Sequence, residues 1–306
     1  MTRLLLAIAA AFTLSVASAF AAPNVVVSIK PVHSLVAAIM QGVGEPDVLV
    51  GGNASPHTYQ LKPSQAASLQ QADVIFWTGQ DLEAFLEKPL ENLAGKATVV
   101  ELDKAEGLTL LKPREGGAFE PHDDEQATSH DHGAEVDMHF WLDTKNAKAM
   151  ARAITQVLAA ADPANANRYR DNLAQLDGRL DELALSLHAK LEPVKSRPFI
   201  VFHDAYQYFE REFGLTIAGS VTVNPDMSPG AERLAAIQTK IKDSRAACIF
   251  AEPQFEPRLV TMLADGTSAR IGALDPEAGS IPEGPELYFT MMTALGDNIA
   301  NCLSGQ

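Results

Sequence analysis

Eight short runs rich in Val, Ile and Phe alternate with helix-patterned segments along this 306-residue chain, and that alternation restricts the folds open to it. The runs are residues 25–29, 47–51, 73–79, 98–102, 199–204, 216–223, 247–253 and 269–276. Several, such as VVVSI and DVIFW, are apolar on consecutive residues rather than on every second one. Strands of that kind are buried on both faces. Helical patterns lie between them, at about 31–42, 63–72, 81–93, 205–213, 229–243 and 255–265. Strand–helix alternation calls for parallel sheets with helices packed on their faces, an α/β fold.

One segment departs from this alternation. Residues 162–192 carry no strand signal, while Tyr169, Leu173, Leu176, Leu180, Leu183 and Leu187 recur at spacings of four and three. That is a single apolar stripe on a long helix. Asp162 suits an N-cap and Pro163 the first helical position, and Pro193 ends the run. At 1.5 Å per residue the helix is roughly 40 Å long. Its length and its place between two strand–helix arrays predict a connecting rod. The predicted organisation is an N-terminal lobe over 23–161, the rod over 162–192 and a C-terminal lobe over 193–306.

The first 22 residues carry one basic residue, Arg3, an apolar run from Leu4 to Val16, and small residues in A-x-A spacing at Ala17–Ala21. This is the pattern of a cleaved secretory signal peptide, with an N-terminal membrane anchor as the alternative. No Cys stands in the small-residue region, so a lipid anchor is not expected. The formal net charge of −15 disfavours nucleic acid and anionic lipid as partners and mildly favours cations. The two cysteines, Cys248 and Cys302, form a disulfide or remain buried thiols, and export favours the disulfide.

Ligands of open α/β sheets sit beyond the carboxyl ends of the strands. His57 follows the second strand run, His203 lies near the end of the fifth, Asp275 closes the eighth, and His139 opens the HFWLD segment before a helix near Thr144. Imidazoles bind borderline metals such as zinc, and a carboxylate or water can complete a tetrahedron. Their spacing forms no compact motif, so hydrogen-bonded structural histidines are the competing reading. Glu252 is assigned a supporting or structural place near the cleft, His33 and His188 none in binding, and Trp77 and Trp141 a packing role.

The segments SIKPVHSLVAAIMQGVG (28–44), ASPHTYQLKPSQAASLQQADVIFWTG (54–79), MHFWLD (138–143), VFHDAYQYFEREFGL (201–215), VNPDMSPGAERL (223–234), CIFAEPQF (248–255) and GALDP (272–276) together resemble the substrate-binding proteins of zinc and manganese ABC transporters. Within that cluster the chain is most similar to the zinc-specific ZnuA branch, over its entire mature length. The resemblance implies two α/β lobes joined by one long helix, with the metal site in the cleft between them. It implies His57, His139 and His203 as metal ligands, with Asp275 at the carboxylate position. Some relatives place a Glu just before the first His, where this chain has Pro56, so the fourth ligand is Asp275 or water. A Cys248–Cys302 disulfide is implied as well. Histidine at position 203 favours zinc, because hard oxygen ligands suit manganese better.

The expected function is delivery of Zn2+, as transported ligand, from the periplasm to the membrane permease of an ABC importer, by a monomeric protein that performs no catalysis. The alternatives are a manganese- or iron-binding protein of the same cluster, an adhesin-like surface protein, and a zinc-dependent hydrolase, since three histidines with an open position also build catalytic zinc sites. Residues 115–137 hold eight carboxylates with His122, His130 and His132, and no Lys or Arg. Low hydrophobicity and unbalanced charge predict disorder there. The segment is read either as a solvated linker or as a weak zinc-gathering arm.

Overall fold

The computed structural model describes residues 22–114, 136–222, 225 and 229–305. The body of the expected signal peptide and the three loop histidines, His122, His130 and His132, lie outside the described residues.

All eight strand runs form strands. In the first lobe these are β1 (Val25–Ile29), β2 (Asp47–Val50), β3 (Val74–Trp77) and β4 (Thr98–Glu101), paired in parallel in the order β2-β1-β3-β4. The second lobe repeats the order with β5 (Phe199–His203), β6 (Ile217–Thr222), β7 (Cys248–Ala251) and β8 (Arg270–Ala273), as β6-β5-β7-β8. Each sheet therefore changes winding direction beside its central strand, where crevices open in sheets of this type.

Helix α1 (Lys30–Ile39) follows β1, α2 (Pro63–Gln71) precedes β3, and α3 (Glu87–Leu93) precedes β4. Helix α4 (Thr144–Ala161) follows, and the long α5 (Ala166–Leu191) then connects the lobes. The second lobe adds α6 (Gln207–Phe213), α7 (Ala231–Ser244), α8 (Arg258–Ala264) and α9 (Leu287–Ser304). No helix among the described residues is long and apolar enough to cross a membrane.

The connecting helix starts at Pro163, after Asp162, as its sequence suggests, with a tighter first turn. Pro163–Asn165 wind as a 3-10 turn, and Asp162 Oδ2 accepts from Asn165 Nδ2 (2.7 Å) and the Tyr169 hydroxyl (2.9 Å) rather than from backbone amides. Asp143 is the true cap of α4, accepting from the amides of Lys145 (2.7 Å) and Asn146 (3.0 Å).

Alternate strand residues serve different cores. Val26, Leu49, Ile75 and Trp77 pack outward under α2 and α3, and Ile200, Phe202 and Ile249 pack outward under α7 and α8. Val25, Val27 and Ile29 of one sheet and Phe199, Val201 and Phe250 of the other face inward. They belong to one continuous cluster that also contains Tyr169, Leu176, Leu180 and Leu187 of α5 and Leu295 and Ile299 of α9. The two lobes thus share a hydrophobic interior. A disulfide joins Cys248 of β7 to Cys302 of α9 and pins the last helix to the second sheet.

Polar bonds close the same seam. The buried Lys30 ammonium donates to the carbonyls of Ala278 (2.7 Å), Gly279 (2.9 Å) and Ile281 (2.7 Å). Trp141 Nε1 donates to the Pro276 carbonyl at 3.0 Å, and Arg114 pairs with Asp204 and Glu210.

Candidate metal centre

Three imidazoles from distant parts of the chain meet between the lobes. His57 stands on a 3-10 turn, Pro56–Thr58, in the loop after β2; its amide donates to Ser55 Oγ at 3.3 Å. His139 immediately precedes a second 3-10 turn, Phe140–Leu142, whose aromatic residues are fully buried and hold the turn in place. His203 is the last residue of β5, the central strand of its sheet, where the backbone ladder sets its direction. One potential ligand atom from each of the three lies within 4.8 Å of the other two.

His139 and His203 are each under a tenth exposed, and their Nε2 atoms stand 3.2 Å apart. Two nitrogens bound to one tetrahedral zinc at about 2.0–2.1 Å are separated by roughly 3.3 Å. The spacing therefore fits an ion between them. His57 is half-buried, but its Nε2 is buried and has no hydrogen-bond partner among the described residues. A buried imidazole nitrogen without a partner is costly unless something binds it.

The far side of each buried ring is occupied. His139 Nδ1 meets Asp137 Oδ1 at 2.8 Å, and His203 Nδ1 meets Glu252 Oε1 at 2.8 Å. Nδ1–H donating to a carboxylate leaves Nε2 as the free lone pair, directed at the place where the rings converge. Burial, and then the two neighbouring imidazoles, hold His57 well below the usual histidine value of 6.5, so it stays neutral. At His203 burial also acts downward, but the charge and hydrogen bond of Glu252 outweigh it and the value is raised.

Asp275 is placed differently. Its Oδ1 accepts from Gln254 Nε2 (2.7 Å) and the Glu277 amide (3.2 Å), and its Oδ2 from the Gly279 amide (2.8 Å). It is not among the residues whose ligand atoms converge, and both its oxygens order the loop that follows β8. Trp141 packs beside the site with its ring 5.3 Å from that of His139. His33 is buried with Nε2 on the Pro46 carbonyl (2.9 Å), and His188 lies exposed against Phe213.

Glu252 reaches the site because β7 neighbours β5, so residues at the ends of both strands fall together. Asp137 is a partner that composition concealed. It reads as the last carboxylate of the acidic segment, but it is buried, and its two-residue spacing from His139 brings its oxygen onto the ring nitrogen. That D-x-H spacing was the available signal.

A profile of the ZnuA family, described as zinc-uptake complex component A, periplasmic, matches residues 25–302. The chain is 46% identical to the high-affinity zinc uptake system protein ZnuA of Brucella suis biovar 1, over 92% of both chains. It is 37% identical to the protein of the same name from Yersinia pestis, again over 92% of each. Among solved structures, a ZnuA deletion mutant with zinc bound superposes with a TM-score of 0.77 at 28% identity, covering 93% of this chain and 99% of the other.

Proposed function

This chain belongs to the ZnuA family, the periplasmic component A of zinc-uptake complexes, and from that premise we propose that it captures Zn2+ and hands it to the membrane permease of an ABC importer. One observation carries the reading: three imidazoles converge from both lobes, with Nε2 atoms 3.2 Å apart in the buried pair and an unpartnered buried Nε2 on the third. His57, His139 and His203 are the ligands. Asp275, whose oxygens also accept hydrogen bonds within the loop after β8, or a water takes the fourth position.

The affinity of such a site comes from neutral nitrogens held ready, and binding releases whatever protons they carry. A set of three imidazole nitrogens favours zinc over manganese. The protein acts as a monomer in the periplasm after loss of residues 1–22, with lobes over 23–161 and 193–306 about the 162–192 rod. Residues 115–137, with His122, His130 and His132, collect zinc weakly and raise its concentration near the cleft by tethering.

Metal content of protein purified from its own compartment, followed by competition titration with a chelator, tests the reading. Zinc at one tight equivalent is expected, and His203→Ala should weaken it at least tenfold. Unchanged affinity in that variant, or preferential retention of manganese, would refute the assignment. A zinc hydrolase presents the same open position, so turnover of esters or β-lactams by the zinc-loaded protein would replace transport with catalysis.

A further inference from the structure

Three imidazoles around a divalent cation leave a net charge of +2 in a largely buried site. An uncompensated buried charge is expensive, and no carboxylate among the described residues joins the converging ligand atoms. The negative charge stands one imidazole further out. Asp137 and Glu252 are 7% and 3% exposed, and each faces the Nδ1 of one buried histidine. Among the described residues His57 has no such partner.

Both carboxylates are held from several sides. Asp137 Oδ1 accepts from the His139 amide (3.0 Å) as well as its ring, and Oδ2 accepts from Gln207 Nε2 (3.1 Å). Its carbonyl accepts from the Tyr208 hydroxyl (2.6 Å), and its amide donates to the Leu111 carbonyl (2.8 Å). Glu252 Oε1 also accepts from the Tyr206 hydroxyl at 3.1 Å. Three consecutive residues just downstream of His203 hold both supports: Tyr206 and Gln207 bond the two carboxylates, and Tyr208 bonds the Asp137 backbone carbonyl. A segment that carries one ligand also fixes the supports of two.

We propose that Asp137 and Glu252 are positioning residues that set the zinc affinity of this site. Each fixes one ring with Nδ1–H outward and Nε2 toward the ion, and together they supply the two negative charges that the ligand set lacks. The proposal rests on His57, His139 and His203 being the ligands. Outer carboxylates of this kind govern metal affinity by factors of about 10–100.

The test uses the mature chain with Asp137→Asn, Glu252→Gln and the double variant. These isosteres can still accept the Nδ1–H bond, so the site keeps its shape while losing charge. Zinc affinity is read by chelator competition, the ligand set by the visible spectrum of the Co2+-substituted protein, and folding by melting of the metal-free form. Each single variant is expected to bind zinc about tenfold more weakly and the double variant about a hundredfold, with unchanged cobalt bands and unchanged metal-free melting. Wild-type zinc affinity in both single variants would overturn the proposal. So would a lowered metal-free melting point with unaltered affinity of the folded protein, which marks a purely structural role, or shifted cobalt bands, which mark direct ligation. His203→Ala run alongside separates the two levels: if it keeps wild-type affinity, the ligand assignment itself fails.

Discussion

Glu83 offers a measurable consequence of the way the first lobe is closed. It lies in the loop after β3, fully buried, with Oε2 accepting from the Thr78 amide at 2.8 Å. Its Oε1 is buried without a hydrogen-bond partner among the described residues. Burial pushes the carboxyl from 4.5 up to about 7. Folding therefore favours the protonated acid, so its contribution to stability is complete below about pH 4.5 and is lost as pH rises through 7. A shift of about 2.5 units at 1.36 kcal/mol each corresponds to roughly 3 kcal/mol. Glu83→Gln mimics the protonated form in carrying no charge, and its carbonyl keeps the Thr78 bond. Urea unfolding of zinc-free wild type and variant at pH 5 and pH 8 is the assay. The variant should gain about 2–3 kcal/mol on wild type between those pH values, because the unfolded carboxyl is already largely ionised at pH 5, and groups that do not interact with Glu83 cancel in the comparison. A difference that does not change with pH would refute the reasoning, because it would mean that Glu83 is ionised in the folded protein across the range.

Zinc affinity should be constant at alkaline pH and begin to fall above pH 6.5 as the solution is acidified. The raised His203 takes a proton first, while the depressed His57 stays out of the competition until lower pH; a chelator-buffered titration from pH 8 to 5.5 checks both the onset and the slope. Reducing the Cys248–Cys302 bond should add two alkylatable thiols by mass and lower stability by up to about 4 kcal/mol, as expected for a cross-link with a sequence separation of 54 residues. Deleting residues 116–135 should remove weak zinc equivalents and leave the tight one nearly unchanged. If the truncated protein binds as many zinc ions as the intact chain, that segment is a linker only.

Much of this architecture was legible because each strand buries both faces, so β1 reads as VVVSI and β5 as FIVFH without the alternation that would blur them. The three histidines were visible as strand-end and turn residues, although their convergence rested on resemblance. The placement of Asp275 was not legible. A carboxylate after β8 can ligate a metal and also order its own loop, and the amides of Glu277 and Gly279 reveal only the second of these. Lys30 was equally obscure. It reads as an ordinary surface lysine after a strand, and its partners are carbonyls some 250 positions away, which no local pattern encodes. The start of the rod at Asp162–Pro163 was legible, but the use of the Asp162 carboxylate was not: it accepts from the Tyr169 hydroxyl instead of capping backbone amides.

The interior common to both sheets limits how an ion can come and go. Parting the lobes far enough to wet on the order of 400 Å2 of that apolar surface would cost about 10 kcal/mol, comparable to the whole stability of a domain. A jaw that opens on such a hinge would spend almost no time open. Exchange would then be confined to what can move without breaching the seam, and of the three proposed ligands His57 is the one so placed, half-exposed on a short turn in the loop between β2 and α2. The permease then has no need to pry two bodies apart. Drawing one turn aside would strip a single nitrogen from the ion and leave the two braced rings where they stand, so that unloading becomes a local event at the rim of an otherwise fixed receptacle.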